Sequence, residues 1–162
     1  QLAQQISDSG ADALIVHGRH WTQDYDVPSD LEQIARIKAA ISIPVIANGD
    51  IYDISSLERA VKMSACDGFM IARAGSGKPW LYQALLENRE IIIPMEHKMQ
   101  LFYEHLQGLA ALENEFKAVL QSKSLVRYYF RKEFAAEELE RFYALRSLQE
   151  VKVFVGWVMT QQ

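Results

Sequence analysis

Length, composition and charge limit what this sequence can encode. The chain has 162 residues, of which 49% are hydrophobic and 23% are charged, the balance of an ordinary globular protein. Its formal net charge of −4 argues against a protein that binds nucleic acid with its whole surface. The single cysteine excludes an internal disulfide framework, and no apolar run approaches the roughly 20 residues of a membrane-spanning helix. We therefore expect a cytoplasmic protein without membrane contact.

Short apolar runs alternate with helical patterns over the first 86 residues. Three runs, at 13–16, 44–47 and 68–71, each end at a polar or glycine-containing turn. The runs are continuous rather than alternating, which predicts parallel strands that are buried on both faces. Amphipathic helices are predicted between them, at 30–40 and 55–63.

This strand–helix order is compatible with two architectures. Short links between strands and helices predict right-handed parallel crossovers, which build either part of an open doubly wound sheet or part of a closed β/α barrel. A helical pattern at 2–9, ended by Gly10, precedes the first strand. Three parallel strands with unpaired outer edges fold poorly alone. We therefore expect further strands upstream, or self-association through the exposed edges.

After Pro94 the pattern becomes helical. Apolar residues recur at helical spacing from Met95 to Leu120, which predicts the core of an antiparallel bundle. Further helices are predicted at about 123–133, 137–148 and 150–159. The expected domains are 1–93, which contains the strands, and 94–162, which is all helical.

Polar residues follow each predicted strand. They are His17-Gly18-Arg19, Asn48-Gly49-Asp50 and Ala72-Arg73. Ligands bind at the carboxyl ends of the strands in barrels and in open α/β sheets, and loops after the last two strands of a barrel often bind phosphate. Other interpretations stay open, because Asn-Gly is often only a turn and a histidine at a strand end is often structural. Arg73 could equally pair with a carboxylate.

Three strings of residues resemble the tRNA-dihydrouridine synthases. They are Ala-Leu-Ile-Val-His-Gly-Arg at 13–19, Ile-Pro-Val-Ile-Ala-Asn-Gly-Asp-Ile at 43–51, and Cys-Asp-Gly-Phe-Met-Ile-Ala-Arg at 66–73. Gly77, Pro79 and Trp80 follow the third string. The resemblance continues after Pro94, where Leu125-Val126-Arg127 and Arg131-Lys132 occupy places at which that family has basic helix residues.

The resemblance implies an α/β fold consisting of a partial, truncated TIM-type β/α barrel followed by an all-α helical bundle. Enzymes of this family contain FMN, reduce the C5=C6 bond of particular tRNA uridines, and use NADPH to reduce the flavin again. The resemblance places His17 at the flavin and Arg19 in the substrate cleft. It assigns the FMN phosphate to backbone groups of Asn48, Gly49, Asp50, Ala72 and Arg73.

The sequence departs from the family pattern at two positions and contains no assignable catalytic residue. Ala72 stands where the family usually has glycine, and His20 stands where it usually has threonine. The resemblance assigns the catalytic cysteine and the flavin-contacting lysine to earlier strands, so we expect this chain alone to be inactive. Cys66 is predicted to be a small buried residue, and Lys78 belongs to the wrong loop.

A basic stretch is the candidate tRNA contact. No acid occurs from Phe116 to Lys132, and a helix there would align Lys123, Arg127 and Arg131 along one stripe, with Lys132 beside it. Such a stripe can follow a phosphate backbone, and either Tyr128 or Tyr129 could stack on a base. A solvated helix face with core aromatics is the other interpretation, and Phe130 is assigned to the core. No metal-ligand spacing is present.

Two alternatives compete with a flavin enzyme. One is a non-catalytic RNA-binding remnant on a half-barrel scaffold. The other is a different phosphate-binding barrel enzyme with an unrelated helical tail. Flavin binding after the missing strands are restored distinguishes the first alternative from an enzyme, and tRNA binding by the helical part disfavours the second.

Overall fold

A computed structural model describes residues 1–130 and 133–160 of the chain. The chain divides into two compact units. Residues 1–75 and 79–90 form the strand unit, and residues 76–78 with the described residues from 91 onward form the helical unit. The strand unit contains α1 (Leu2–Asp8), β1 (Leu14–His17), α2 (Leu31–Ala40), β2 (Val45–Asn48), α3 (Ile54–Ser64), β3 (Gly68–Met70), a 3₁₀ turn (Arg73–Gly75) and α4 (Trp80–Leu86).

The strand unit is built on a parallel sheet in the order β1-β2-β3. In the register of the sheet, His17 is paired with Asn48, and Asn48 with Met70, so the three strands end together. Helix α2 begins where the Asp30 carboxylate accepts a hydrogen bond from the Gln33 backbone at 2.8 Å. The predicted α/β class and the three parallel strands are confirmed.

The prediction that every strand is buried on both faces is wrong for β1. Its residues alternate between partly buried and exposed, and Ile15 is 57% exposed. Apolar side chains of α2 and α3 pack on one face of the sheet, around the fully buried Val45 and Ile34. Within the described residues no second layer covers Ile15, so a continuous apolar run was not a sufficient sign of two-sided burial.

The helical unit contains four helices among the described residues. They are α5 (Met95–Leu112), α6 (Glu115–Tyr129), α7 (Ala136–Tyr143) and α8 (Leu148–Met159). Phe102 on α5 lies at the centre of the core, with ring centroids at 5.2 Å from Tyr129, 5.3 Å from Phe130 and 5.7 Å from Phe142. The assignment of Phe130 to the core is therefore confirmed.

The apolar stripe predicted from Met95 to Leu120 is interrupted. Asn114 has an extended backbone, and its side-chain oxygen accepts a hydrogen bond from the Lys117 backbone at 2.9 Å, which starts a new helix. Phe102 and Leu106, before this break, are buried, whereas Phe116 and Leu120, after it, are exposed. The break changes which helix face turns inward, so a single period does not describe both helices.

The predicted helix at 123–133 and the predicted end at 148 also need correction. Helix α6 ends at Tyr129, and α7 ends at Tyr143. Gly77, in the segment that belongs to this unit, has a φ of 70°, and a side chain there would meet the Tyr128 and Tyr129 backbone at 2.5–2.6 Å. Only glycine tolerates both that conformation and that approach.

Candidate functional site

The polar residues after β1, β2 and β3 come together at one edge of the sheet. Parallel pairing aligns His17 with Asn48, and the Asn48 side-chain amide donates to the Met70 carbonyl at 2.9 Å. The predicted loops at 17–19, 48–50 and 72–73 therefore follow strands whose carboxyl ends are in register. This is the edge at which parallel α/β folds bind ligands.

Arg19 and Asp50 form an ion pair between the first two loops. One guanidinium nitrogen of Arg19 lies 2.7 Å from each Asp50 oxygen, and the Ser29 backbone N–H donates to the same carboxylate at 2.8 Å. The same nitrogen also lies 3.2 Å from the Tyr25 carbonyl, and Arg19 Nε donates to the Val27 carbonyl. The Arg19 side chain is only 5% exposed, so its charge is neutralised inside the loop network.

Asp50 stays ionised in this setting. Burial by itself raises the pKa of the Asp50 carboxyl. Hydrogen bonds from Arg19 and from the Ser29 backbone, together with the positive charges of Arg19 and Arg73, outweigh that effect and hold the pKa below its ordinary value. The carboxylate thus cancels the buried Arg19 charge.

Arg73 keeps its charge accessible. Its side chain is 53% exposed, and its guanidinium lies 3.8 Å from Asp50. The guanidinium also stacks over the Tyr25 ring, at 3.7 Å from the centroid. Since Asp50 already makes its short contacts with Arg19, Arg73 retains donors for an anion at this edge.

His17 and Gly49 complete the loop geometry. The Arg19 backbone N–H donates to His17 Nδ1 at 3.0 Å, which leaves Nε2 as the protonated nitrogen of the neutral ring. Gly49 has a φ of 131°, and a side chain there would lie 2.3 Å from the Ser29 hydroxyl. Among the described residues, the backbone N–H groups of Gly49 and Asp50 have no acceptor. Ala72, in the loop after β3, is exposed.

The predicted basic stripe of the helical unit is only partly free. The Lys123 ammonium donates to the carbonyl of Leu145 at 2.9 Å and to that of Tyr143, so it holds the end of α7. Arg127 is exposed, and its Nε donates to the Tyr143 hydroxyl at 2.6 Å. These acceptors are neutral, so none of these contacts pairs the Lys123 or Arg127 side chain with a carboxylate. Arg131 and Lys132 lie outside the described residues.

The two candidate stacking tyrosines differ in exposure. Tyr129 is buried, its hydroxyl is within 3.2 Å of His105 Nδ1, and burial raises its pKa. Tyr128 is exposed and borders an open cavity of about 690 Å³ that is also lined by Lys123 and Arg127. Of the pair, only Tyr128 can present its ring to a ligand.

A comparison with protein families decides the relationship of the chain. The model described as Dihydrouridine synthase (Dus) matches residues 1–155. The chain belongs to the dihydrouridine synthase family. The predicted resemblance is therefore confirmed across almost the whole sequence.

Curated members of the Dus family match at moderate identity. The chain is 30% identical to tRNA-dihydrouridine synthase B of Vibrio vulnificus over 145 residues, which are 86% of the chain and 45% of that protein. It is 32% identical to the probable tRNA-dihydrouridine synthase 1 of Synechocystis over 160 residues, or 94% of the chain and 44% of that protein. The chain thus spans less than half of the length of these relatives.

The remaining predictions for this Dus-family chain concern the burial of Cys66, metal ligands and membrane-spanning helices. Cys66 is partly buried and packs against the core of the strand unit, rather than being fully enclosed. In the described ranges 1–130 and 133–160, no cluster of three metal-ligating side chains occurs. No helix in the same ranges has the length and apolar character needed to cross a membrane.

Sequence reasoning missed Tyr25 and Ser29 as parts of the loop network. Ser29 lies between the two glycine turns and donates its backbone N–H to Asp50. Its place directly before α2 was the available signal, because residues there often hydrogen-bond loop groups. Tyr25 stacks with Arg73 across nearly fifty residues of sequence, and no local pattern marks that contact.

Proposed function

We propose that this chain is the carboxyl-terminal part of an FMN-dependent tRNA-dihydrouridine synthase and that its strands belong to a closed β/α barrel. The membership in the Dus family carries this proposal. Because the chain spans less than half of its relatives, the proposal assigns catalysis to the full barrel and treats this chain alone as inactive. Bound FMN would supply the hydride for the uridine C5=C6 bond and NADPH would restore it.

The strand-end loops fit the phosphate of FMN. The left-handed Gly49 turn leaves backbone N–H groups without acceptors, and such groups bind anions. Arg73 adds an exposed guanidinium, while the Asp50 carboxylate is neutralised by Arg19 and so repels an anion less. In this proposal the groups that hold the phosphate are the backbone of 48–50 and of Ala72 and Arg73.

Two further side chains have assigned positions. His17 is exposed at the strand edge with its Nε2–H free to donate, so we assign it to the flavin ring. The buried Arg19 contacts loop carbonyls and Asp50, which supports a role in shaping the cleft. Arg19 is therefore assigned to the substrate cleft, where its ion pair with Asp50 orders the walls of the site.

The proposed phosphate site is tested by comparing FMN with riboflavin, which lacks the phosphate. We expect the full chain to bind FMN at least about tenfold more tightly than riboflavin, since a hydrogen bond to a charged group contributes about 1.5–3 kcal/mol. The quenching of flavin fluorescence measures both affinities. Arg73→Ala should reduce the difference in affinity between FMN and riboflavin. Arg89→Ala, which removes an exposed cation paired with Glu87, should leave that difference unchanged. Equal affinity for the two flavins, or binding of neither, would contradict the phosphate site.

The helical unit is proposed as the tRNA-binding part. Arg127, Lys123 and Tyr128 line one open cavity, with positive charge that no carboxylate among the described residues neutralises. Cations with exposed aromatics are the usual means of binding RNA backbone and unpaired bases. Arg131 and Lys132 remain part of the proposed contact on the basis of the family resemblance.

A salt titration tests tRNA binding. We expect the full chain to bind bulk tRNA in a filter assay, with an affinity that falls steeply as salt rises. Arg127→Gln should lower the slope of log affinity against log salt by about 0.7–0.9, the value for one phosphate contact. Lys117→Gln is the matched control on the same helix, because Glu113 already neutralises Lys117 at 2.7 Å. Salt-independent binding, or no effect of Arg127→Gln, would refute this contact.

A further inference from the structure

The loop between β1 and α2 exposes a tryptophan. The Trp21 side chain is 88% exposed, and its ring centroid lies 5.9 Å from that of His20, with the planes tilted by 40°. An aromatic side chain of this size buries about 150–250 Å² when it finds a partner, so leaving it in water forgoes a large stabilisation. Among the described residues, the Trp21 ring is therefore available to a partner at this strand end.

The loop that carries Trp21 is ordered by its own hydrogen bonds. The His20 backbone N–H donates to the Gln23 side chain at 2.7 Å, and the Gln23 backbone N–H donates back to the His20 carbonyl at 2.9 Å. His20 Nδ1 lies 2.8 Å from the Thr22 hydroxyl. On the other side of the turn, Arg19 holds the Tyr25 carbonyl. Trp21 is thus displayed on a preformed turn, and ordering it on a ligand costs little entropy.

The position and charge of the loop select the kind of ligand. Trp21 follows the carboxyl end of β1, the same sheet edge as the candidate phosphate loops. Asp24 and Asp26, both exposed, lie in the same loop and repel phosphate groups. A contact made here is therefore directed to a base rather than to the RNA backbone.

We propose that Trp21 is a substrate-binding residue on which an unpaired base of the tRNA stacks. This inference rests on the proposed function, because it assumes that the chain binds tRNA. The indole face supplies a planar apolar surface that any base can cover, and the His20 ring lies next to it with its plane tilted by 40°. Trp21 binds through stacking alone, whereas Arg127 binds through charge, so the two contributions differ in their response to salt.

The test is a filter-binding titration of the full chain with bulk tRNA over a salt series. Trp21→Ala should weaken binding about tenfold, the effect of losing one base–aromatic stack, without changing the salt slope. Trp21→Phe should retain most of the affinity, and Trp21→Leu should lose it, because leucine is apolar but not planar. Leu86→Ala is the control, since Leu86 is also 88% exposed but follows no strand end. Circular dichroism checks that each variant is folded.

Separate outcomes overturn the two proposals. Absence of tRNA binding by the unchanged chain would overturn the proposed RNA function and this inference with it. Salt-dependent tRNA binding that Trp21→Ala or Trp21→Leu leaves unchanged would overturn only the inference, and would leave Trp21 as a contact for another protein. An RNA duplex without unpaired bases provides the second measurement. The unchanged chain and Trp21→Ala should bind it equally, and an equal loss on duplex and tRNA would refute stacking on an unpaired base.

Discussion

Both units of the chain have a hydrophobic core, but they differ in the kind of interaction that each adds to it. In the helical unit, Phe102 packs against three aromatic rings, and none of these groups carries a charge. At the strand ends of the other unit, the Arg19–Asp50 pair holds two loops together. Ring packing acts at any pH, whereas the ion pair stabilises only while both partners are charged.

In the helical unit, stability and the proposed RNA binding depend on different residues. In the strand unit, stability and the proposed phosphate binding depend on the same residues. The candidate RNA contact Arg127 lies on the surface of the helical unit, so it can be changed without disturbing the core around Phe102. In the strand unit, Asp50 belongs to the proposed phosphate loop and also neutralises the buried Arg19. Changes at the strand ends should therefore alter folding and ligand binding together, whereas a change at the exposed Arg127 should alter mainly binding.

The largest expected effect comes from removing the central ring of the helical unit. Phe102 is 1% exposed, and truncation of such a residue to alanine costs about 3–5 kcal/mol because it leaves a cavity among rigid rings. Phe102→Ala should lower the protection of α5, α6 and α7 against hydrogen exchange by a corresponding amount. The measurement is native-state hydrogen exchange, which reports each unit separately.

Leu112→Ala is the matched control for that substitution. Leu112 lies on the same helix but is 84% exposed, so its truncation should change the protection of α5 by less than about 0.5 kcal/mol. Similar losses in the two variants would mean that the aromatic cluster does not dominate the stability of this unit.

The features that the sequence predicted well were local ones. The strands at 14–17, 45–48 and 68–70 lie within one residue of the predicted runs. In the first two strands, β-branched residues followed by a glycine turn favour an extended conformation that ends there. The alignment of the polar loops followed from the strands, since parallel pairing brings their carboxyl ends to one edge, and their role as an anion site stays a prediction. The family was predicted from three separate strings of residues that resemble the tRNA-dihydrouridine synthases.

The features that the sequence did not predict depend on partners far away in the chain. A basic residue looks alike whether it is free or bonded, and only the fold shows that Lys123 holds the carbonyls at the end of α7. The burial of Arg19 likewise needs Asp50, thirty-one residues later. The break at Asn114 was readable as a helix N-cap, but the apolar period continued across it and masked that signal.

A smaller effect is expected from removing the charge of Asp50. Asp50 has a φ of 52°, a conformation that asparagine also tolerates, so Asp50→Asn changes the charge with little backbone cost. It leaves the Arg19 guanidinium buried without a counter-charge, which should destabilise the strand unit by about 1–3 kcal/mol. Hydrogen exchange of β1 and β2 measures the loss. Arg19→Met combined with Asp50→Asn should recover part of it, and no recovery would mean that the buried charge is not the cause.

The same pair predicts a pH dependence that the aromatic core lacks. The pKa of Asp50 is lowered in the folded state, so its contribution is complete above the ordinary aspartate value near 4 and is lost as the pH falls through the lowered value. The stability difference between the unchanged chain and Asp50→Asn should therefore be constant at neutral pH and shrink below a pH of about 4. The difference between the unchanged chain and Phe102→Ala should stay constant over the same range. Urea titrations at a series of pH values measure both differences in stability. If the difference for Asp50→Asn also stayed constant as the pH falls, the charge of Asp50 would not contribute to stability.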